Sequence, residues 1–296
     1  MAPVGADGDP MISYPDVTNS DLKLAICDIS ESANGNCDQA DDWNTLTVET
    51  AAHSTSMAVD ASGNPMISYH YLTDQDLKFA FCDLSQSANG NCDQPDDWSL
   101  VIVDSEAGYV GDNTSLAVDD NGNPMISYFD EVNTAVKFAM CDMSASLNGN
   151  CDQTADWSTE TVDASEEVGY YTSIAVGDTG NPMISYNGGP NRDLKFATLP
   201  PPDTDGDGFP DHVEVYLATD PADACPDNPT DDAWPLDMDR NTLVNLGGDV
   251  ASYIGKIGCS VSTNPQCQRL DLDRNGLINL GGDVATYIGT IGDTCT

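Results

Sequence analysis

The chain has 296 residues and carries 50 acidic against 9 basic side chains, a formal net charge of −41 at pH 7. Nucleic acid and anionic membranes repel such a charge, and no apolar run is long enough to cross a bilayer, so we expect neither nucleic-acid binding nor membrane insertion. Asp accounts for 42 of the acids and Glu for 8, which favours turns and hard-cation sites over charged helices. A halophile's solvating surface is the alternative, but it leaves the ordered spacing of the Asp residues unexplained.

The N-terminal part of the chain repeats one heptapeptide. It reads GDPMISY at 8–14 and GNPMISY at 63–69, 122–128 and 180–186, and its prolines lie 55, 59 and 58 residues apart. A fixed period of this size is typical of a stacked or circular array of identical supersecondary units. The array stops near Leu199, where LPPP predicts a stiff extended linker. We therefore predict two domains, residues 1–200 and residues 201–296.

Each repeat contains four strand signals. A TSMAVD-type segment precedes a D-x-x-G-N turn, PMISY follows, a DLKFAFCD-type segment is third, and the fourth begins at Trp43, Trp98 or Trp157. Four short strands per repeated unit resemble the blades of a β-propeller. The resemblance implies a mainly β fold, with a four-bladed β-propeller over residues 1–200. The first blade has a reduced inner strand and the last lacks its fourth, which leaves an edge for a cap or for another molecule.

Ten cysteines are spaced regularly, without a C-x-x-C motif or a Cys/His cluster, which favours disulfides over zinc. Three pairs recur ten positions apart, at Cys27/Cys37, Cys82/Cys92 and Cys141/Cys151. The other four allow three pairings; we favour the set Cys259–Cys267 and Cys225–Cys295, which closes a short loop and ties the domain ends. Disulfides predict an extracytoplasmic location, and we expect a leader peptide to have been removed or left out.

Catalytic constellations are weak in this sequence. The VDASGNP and VDDNGNP turns resemble the Asp-box of sialidase-like propellers, but they lack its Trp, and Arg192 is the single arginine of residues 1–200, where that family uses three. His53, His70 and His212 are not repeated and lie near no nucleophile motif. We therefore expect no catalytic residue and no enzyme. A lectin-like propeller with one aromatic per blade is the alternative, and a glycoside hydrolase with paired carboxylates is less favoured.

The motif DTDGDGFPDHVE follows the linker and matches an EF-hand calcium loop. Acidic side chains fall at loop positions 1, 3, 5, 9 and 12, with Gly208 at position 6 and a backbone carbonyl at position 7. Crowded carboxylates repel one another unless a divalent ion neutralises them, so the motif predicts bound Ca²⁺. The predicted ligands are Asp203, Asp205, Asp207, Phe209, Asp211 and Glu214.

Two further segments, beginning at Asp237 and Asp271, duplicate each other at a spacing of 34 residues. They resemble the calcium-loop–helix repeats of dockerins, which implies a small α-rich calcium-binding domain that docks onto a cohesin-like bacterial surface protein. The closing acid lies at position 13 instead of 12, and Thr242 replaces the glycine at position 6 of the first loop. The ligands that this resemblance implies are Asp237, Asp239, Asn241, Leu243, Asn245 and Asp249 in the first loop, and Asp271, Asp273, Asn275, Leu277, Asn279 and Asp283 in the second. Each loop precedes an apolar stripe at helical spacing.

Together these features predict a secreted, calcium-stabilised structural or adhesive protein. It would be extracellular or attached to a bacterial cell surface. Its partner would be either a second copy of itself, giving an extracellular filament, or a cohesin-like protein. The unfinished last blade and the docking-type module motivate this hypothesis.

Overall fold

A computed structural model describes residues 8–30, 32, 35–87, 90–106, 108–143, 146, 149–165, 168–177, 180–200, 207, 209, 213–214, 217–220, 223–225, 234–238, 240–272 and 274–291. The chain divides into two compact units, Met1–Leu199 and Pro200–Thr296. Within the described residues, no helix is both long and apolar enough to span a bilayer.

The first unit is built from antiparallel β-strands. They are β1 (Met11–Asp16), β2 (Asp21–Cys27), β3 (Trp43–Glu49), β4 (Ala52–Val59), β5 (Pro65–Tyr71), β6 (Asp76–Phe81), β7 (Ser99–Asp104), β8 (Val110–Val118), β9 (Pro124–Asp130), β10 (Ala135–Cys141), β11 (Trp157–Asp163), β12 (Val168–Val176), β13 (Pro182–Gly188) and β14 (Asp193–Thr198). They form four sheets in the orders β1-β2-β3, β4-β5-β6-β7, β8-β9-β10-β11 and β12-β13-β14. We number these sheets 1 to 4. The predicted mainly β architecture with four strands per complete repeat is confirmed.

The heptapeptide supplies the second strand of each repeat, and its alternation serves two interfaces at once. Ile126 and Tyr128 of β9 point into a core shared with sheet 2, whereas Met125 belongs to a core shared with sheet 4. The serine between them bonds across a sheet interface, since Ser127 Oγ lies 3.1 Å from Thr172 Oγ1. Successive side chains of a strand point to opposite faces, so every residue of MISY has a packing role.

Consecutive sheets therefore pack face to face through one repeated contact. Leu77 and Phe79 of sheet 2 pack against Ile126 and Tyr128 of sheet 3 in one buried cluster. The Phe79 ring meets Trp157 edge-on with centroids 4.9 Å apart. The inner strands β4, β8 and β12 contact one another in turn. Four-stranded sheets stacked in this way around inner strands make a propeller-like arrangement.

The turn before each heptapeptide explains its first letters. Asp119 accepts hydrogen bonds from the backbone N–H groups of Asn121 and Asn123 at 2.9 and 2.8 Å, and Gly122 adopts φ +90°, a conformation that favours glycine. The Asn123 side-chain oxygen then accepts the backbone N–H of Met143 at 2.8 Å. The repeated Asp and Asn thus tie the hairpin to the start of the disulfide loop.

Disulfides brace these loops as predicted. The bonds Cys27–Cys37, Cys82–Cys92, Cys141–Cys151 and Cys259–Cys267 are formed. Cys225 is also disulfide-bonded, but Cys295, its expected partner, lies outside the described residues. The four bridges in the described part of the chain indicate an oxidising, extracellular environment.

The second unit has a core around Trp234, Tyr253 and Ile278. Its described helices are short: two 3₁₀-helices at Val250–Tyr253 and Pro265–Leu270, a π-helix at Leu280–Val284 and an α-helix at Ala285–Thr290. The α-rich domain expected from the dockerin resemblance is therefore not evident in the described residues.

The apolar stripe that follows the first duplicated loop forms only a short helix. The 3₁₀-helix ends at Tyr253, Ile254 is extended, and Gly255 adopts φ +76°. The expected stripe consequently splits, with Tyr253 buried and Ile254 81% exposed.

Candidate functional site

The predicted calcium ligands of the second unit are only partly described. The acidic side chains of Glu214, Asp237, Asp249, Asp271 and Asp283 are buried. Asp207, Phe209, Asn241, Leu243, Asn245, Asn275, Leu277 and Asn279 are also described, whereas Asp203, Asp205, Asp211, Asp239 and Asp273 lie outside the described residues. Nothing in the structure tests the ion itself, so Ca²⁺ stays a prediction for these loops.

In the loop that begins at Asp237, the last predicted ligand bonds to the backbone next to the first. The backbone N–H of Met238, which follows Asp237, donates to Asp249 at 2.7 Å. The other oxygen of the buried Asp249 carboxylate accepts the backbone N–H of Asn245 at 2.7 Å. The Asn245 side-chain oxygen instead accepts the backbone N–H groups of Gly247 and Gly248 at 2.9 and 2.7 Å. Asn245 therefore caps the following turn, a role that its calcium-loop position did not predict.

Three of the repeated lysines, Lys78, Lys137 and Lys195, form ion pairs across the sheet interfaces. Lys137 of sheet 3 lies 2.6 Å from Asp104 at the end of β7, and Tyr128 donates to the same carboxylate at 2.5 Å. Burial opposes the charge of Asp104, but the bonds from Lys137 and Tyr128 outweigh it and hold its pKa below the usual value. Tyr186, Asp163 and Lys195 repeat the triad one sheet further on. These groups have a structural role, because they join neighbouring sheets.

The repeated aromatic residues are also structural. Tyr69, Tyr128, Tyr186, Trp98 and Trp157 are all buried. The tryptophan of each complete sheet donates its ring N–H to a disulfide-loop carbonyl, for example Trp157 to Cys151 at 3.0 Å. A lectin with one exposed aromatic platform per blade is therefore not supported at these positions.

A cluster of unrepeated residues stands out where sheets 2 and 3 meet. His53 lies near the start of β4, His70 near the end of β5, and Asp112 near the start of β8. Their possible ligand atoms all lie within 4.8 Å of one another. His53 Nδ1 lies 3.8 Å from Asp112 Oδ1. The three residues could hold a metal ion, and we call this group with Tyr109 and Glu131 the His70 cluster.

The electrostatics of the His70 cluster are unusual for this protein. Burial is the main reason why the pKa of His70 is lowered to about 4, and the charge of Asp112 opposes that shift. The Tyr109 ring lies against His70 with centroids 4.2 Å apart. Burial first, and then the charges of Asp112 and Glu131, raise the pKa of Tyr109. Both carboxylates thus lie close enough to act on the Tyr109 hydroxyl, and such groupings are concentrated at functional sites.

The repeat frame positions these side chains, but the repeat sequence does not supply them. The residue after PMISY is His70 in sheet 2, and Phe129 and Asn187 occupy the same place in sheets 3 and 4. The sequence did not predict the cluster, because its residues are neither repeated nor part of a nucleophile motif. The available signal was the reverse: two histidines replacing other residue types within one copy of a repeat.

Comparisons with known proteins give a likeness of fold only. No family model matches the chain, and no curated protein does. Among solved structures, an α-L-arabinofuranosidase from Lactobacillus brevis matches at 14% identity over 67% of this chain and 70% of that chain, with a TM-score of 0.41. The α-L-arabinofuranosidase Arb93A from Fusarium graminearum matches at 13% identity over 67% of this chain and 59% of that chain, TM-score 0.39. An exo-β-1,3-galactanase from Clostridium thermocellum matches at 11% identity over 65% of this chain and 46% of that chain, TM-score 0.33.

These comparisons correct one expectation from the sequence. The chain was expected not to be an enzyme, yet the matching structures include glycoside-cleaving enzymes. The expectation rested on the absence of a repeated or motif-borne catalytic set, whereas the His70 cluster is formed by residues outside the repeat pattern. The comparisons lend no support to the dockerin resemblance, the filament or adhesion.

Proposed function

We propose that this is an extracellular propeller-like protein that binds and hydrolyses a glycan at the His70 cluster. The observation that carries the proposal is the placement of an aromatic ring, two carboxylates and a buried imidazole together at unrepeated positions. Sugars pack on aromatic rings and bond to carboxylates, and glycoside cleavage uses acidic side chains. Glu131 is exposed and is the carboxylate that we place on the substrate side.

Hydrolysis assays test this function directly. Polymers containing arabinofuranose or β-1,3-linked galactose, the sugars named for the matching enzymes, are incubated with the full chain, and reducing ends are measured. We expect Glu131→Gln to reduce hydrolysis at least 100-fold, because removal of a general acid or base typically costs this much. Asp74→Asn, in an exposed turn, is the control. A protein that neither binds a glycan array nor releases sugar would refute the proposal, and binding without cleavage would leave only the lectin-like alternative.

We further propose that the loops of the second unit bind Ca²⁺. The buried acids Asp237 and Asp249 of the first loop support this, and the buried Asp271 and Asp283 occupy the same positions in the second loop. Isothermal titration with Ca²⁺ measures the number of ions bound. A chain that takes up no Ca²⁺ would contradict the assignment.

Assembly between copies is a second candidate function, favoured by two exposed sheet faces. Leu194 and Phe196 of β14 are 83% and 62% exposed, although Leu77 and Phe79 at the same positions of sheet 2 are buried. At the other end of the array, Ile12 of sheet 1 is 43% exposed. These are the two halves of the contact that joins neighbouring sheets within the chain, and self-complementary ends of this kind pair head to tail.

The repeated lysine of sheet 1 is consistent with this pairing, since its described contacts stay within sheet 1. Lys23 bonds to Thr47 and lies 3.7 Å from Asp21 of its own strand, whereas Lys137 reaches an acid of the preceding sheet. Light scattering over a concentration series tests the assembly. We expect Phe196→Glu to abolish association while Val17→Glu, an exposed loop position, leaves it unchanged. A monomer at every concentration would exclude self-assembly through these faces. It would not bear on docking to a cohesin-like protein.

A further inference from the structure

The His70 side chain is buried without any hydrogen-bond partner. It has no solvent-exposed surface, and neither Nδ1 nor Nε2 has a partner among the described residues. A buried polar atom left unpaired costs roughly 1–3 kcal/mol. An imidazole that lacks a partner on both nitrogens therefore indicates a ligand at one of them.

The surroundings of His70 limit what that ligand can be. Asp112 and His53 bring one carboxylate and one further imidazole to within 4.8 Å of its ring nitrogens. Asp112 is itself tied by the backbone N–H of Asn113, which donates to Oδ1 at 2.8 Å. A second imidazole and a negative charge suit a cation.

We infer that His53, His70 and Asp112 bind a divalent transition-metal ion of the zinc class. Two imidazoles and one carboxylate are the donor types that Zn²⁺ takes in sites where a fourth position stays open to water or substrate. Ca²⁺ is a poor fit, since it takes six or more oxygen ligands and avoids imidazole. The site is thus chemically distinct from the oxygen-rich loops of the second unit.

The strands hold these donors in place on a rigid frame. His53 and His70 are register partners in the β4–β5 ladder, and Asp112 enters from the neighbouring sheet on β8. The Tyr109 ring covers one side of His70 at a centroid distance of 4.2 Å. His53 is 57% exposed in its side chain, so an ion can reach the site from solvent through this residue.

The inference rests on the site of the proposed function and adds a bound ion beside Glu131. With the ion in place, Asp112 is a ligand and Glu131 remains the carboxylate facing the substrate. The two claims fail separately. Zn²⁺ binding by a protein that cleaves no glycan would overturn the proposed function alone, and cleavage by a protein that binds no Zn²⁺ would overturn this inference alone.

Titration of the full chain with Zn²⁺ in excess Ca²⁺ tests the inference, because Ca²⁺ occupies oxygen-only sites beforehand. We expect one equivalent of Zn²⁺, accompanied by shifts of the His53 and His70 imidazole ¹⁵N signals. His53→Ala and Asp112→Asn should each weaken binding at least tenfold, a loss that even outer partners of metal sites can cause. Because His53 is exposed, we expect His53→Ala to fold even if His70→Ala, at a buried position, does not.

The control is Asp74→Asn, which removes one carboxylate from an exposed turn and should leave Zn²⁺ affinity unchanged. Absence of Zn²⁺ binding, affinity unaltered in His53→Ala, or ¹⁵N signals that do not move would each overturn the site. Binding that Asp74→Asn weakens as much as Asp112→Asn would also overturn it, since it would reflect the overall negative charge.

Discussion

The triad of Tyr128, Asp104 and Lys137 gives the sharpest test of how neighbouring sheets are held together. The side chains of Lys137 and Asp104 are each only 5% exposed and lie 2.6 Å apart. Breaking a buried pair by removing one charge costs about 3–5 kcal/mol, because the other charge stays buried without compensation. Glu106 still reaches Lys137 at 2.8 Å, so we expect Asp104→Asn to cost about 3 kcal/mol, at the lower end of that range.

The matched control is the same substitution one interface further on. Lys195 and Asp163 are 34% and 18% exposed in their side chains and lie 3.0 Å apart. Solvent screens this pair, so Asp163→Asn should cost only about 1 kcal/mol. Urea unfolding at pH 7 with disulfides intact, followed by tryptophan fluorescence, measures both losses from the midpoint and slope. Equal losses in the two variants would refute the reasoning from burial.

The pH dependence supplies an independent check on the Asp104 variant. The folded pKa of Asp104 is lowered, so its stabilising contribution is present above the unfolded pKa of about 3.9 and is lost as the pH falls through the folded value. The stability difference between the native chain and Asp104→Asn should therefore be full at pH 7 and shrink in acid below about pH 4. A difference that stays constant down to strong acid would show that the loss comes from packing and not from charge.

Three further predictions follow from local geometry. Gly111→Ala should destabilise the protein by about 3 kcal/mol or more, since φ of Gly111 is +95° and an added Cβ would lie 2.7 Å from the backbone of Leu77. The control is Gly122→Ala, at φ +90° with open space around it. It should cost only about 1 kcal/mol in the same urea assay. Replacing Cys82 and Cys92 by Ala should cost about 2–3 kcal/mol by loop entropy, and an unchanged unfolding midpoint would contradict a native bridge. Chelation of Ca²⁺ should lower the melting temperature of the native chain more than that of Asp249→Asn, which keeps the second loop, as measured by calorimetry. A chelator effect of equal size in both would argue against the first loop as a site.

The sequence by itself determined the repeat architecture. The repeat period is close to the length of a four-stranded unit, and the side chains of MISY alternate between two faces of the strand. Both faces can be buried only against the sheets on either side. The spacing of Cys141 and Cys151 similarly required a closed loop, because identical positions recur in each copy. These features are local and repeated, so each copy reinforces the same prediction.

The tertiary structure alone decided where chemistry can occur. The pairing of β4 with β5 places His53 opposite His70, and Asp112 comes from another sheet. The approach of the three side chains therefore depends on strand register and on the packing of two sheets. The same packing decided that Lys137 is buried while Lys195 is partly exposed, although both occupy one repeat position. In the second unit, the same apolar spacing gives a 3₁₀-helix at Val250–Tyr253 and an α-helix at Ala285–Thr290, because the packing around a short helix stabilises it more than its local pattern does.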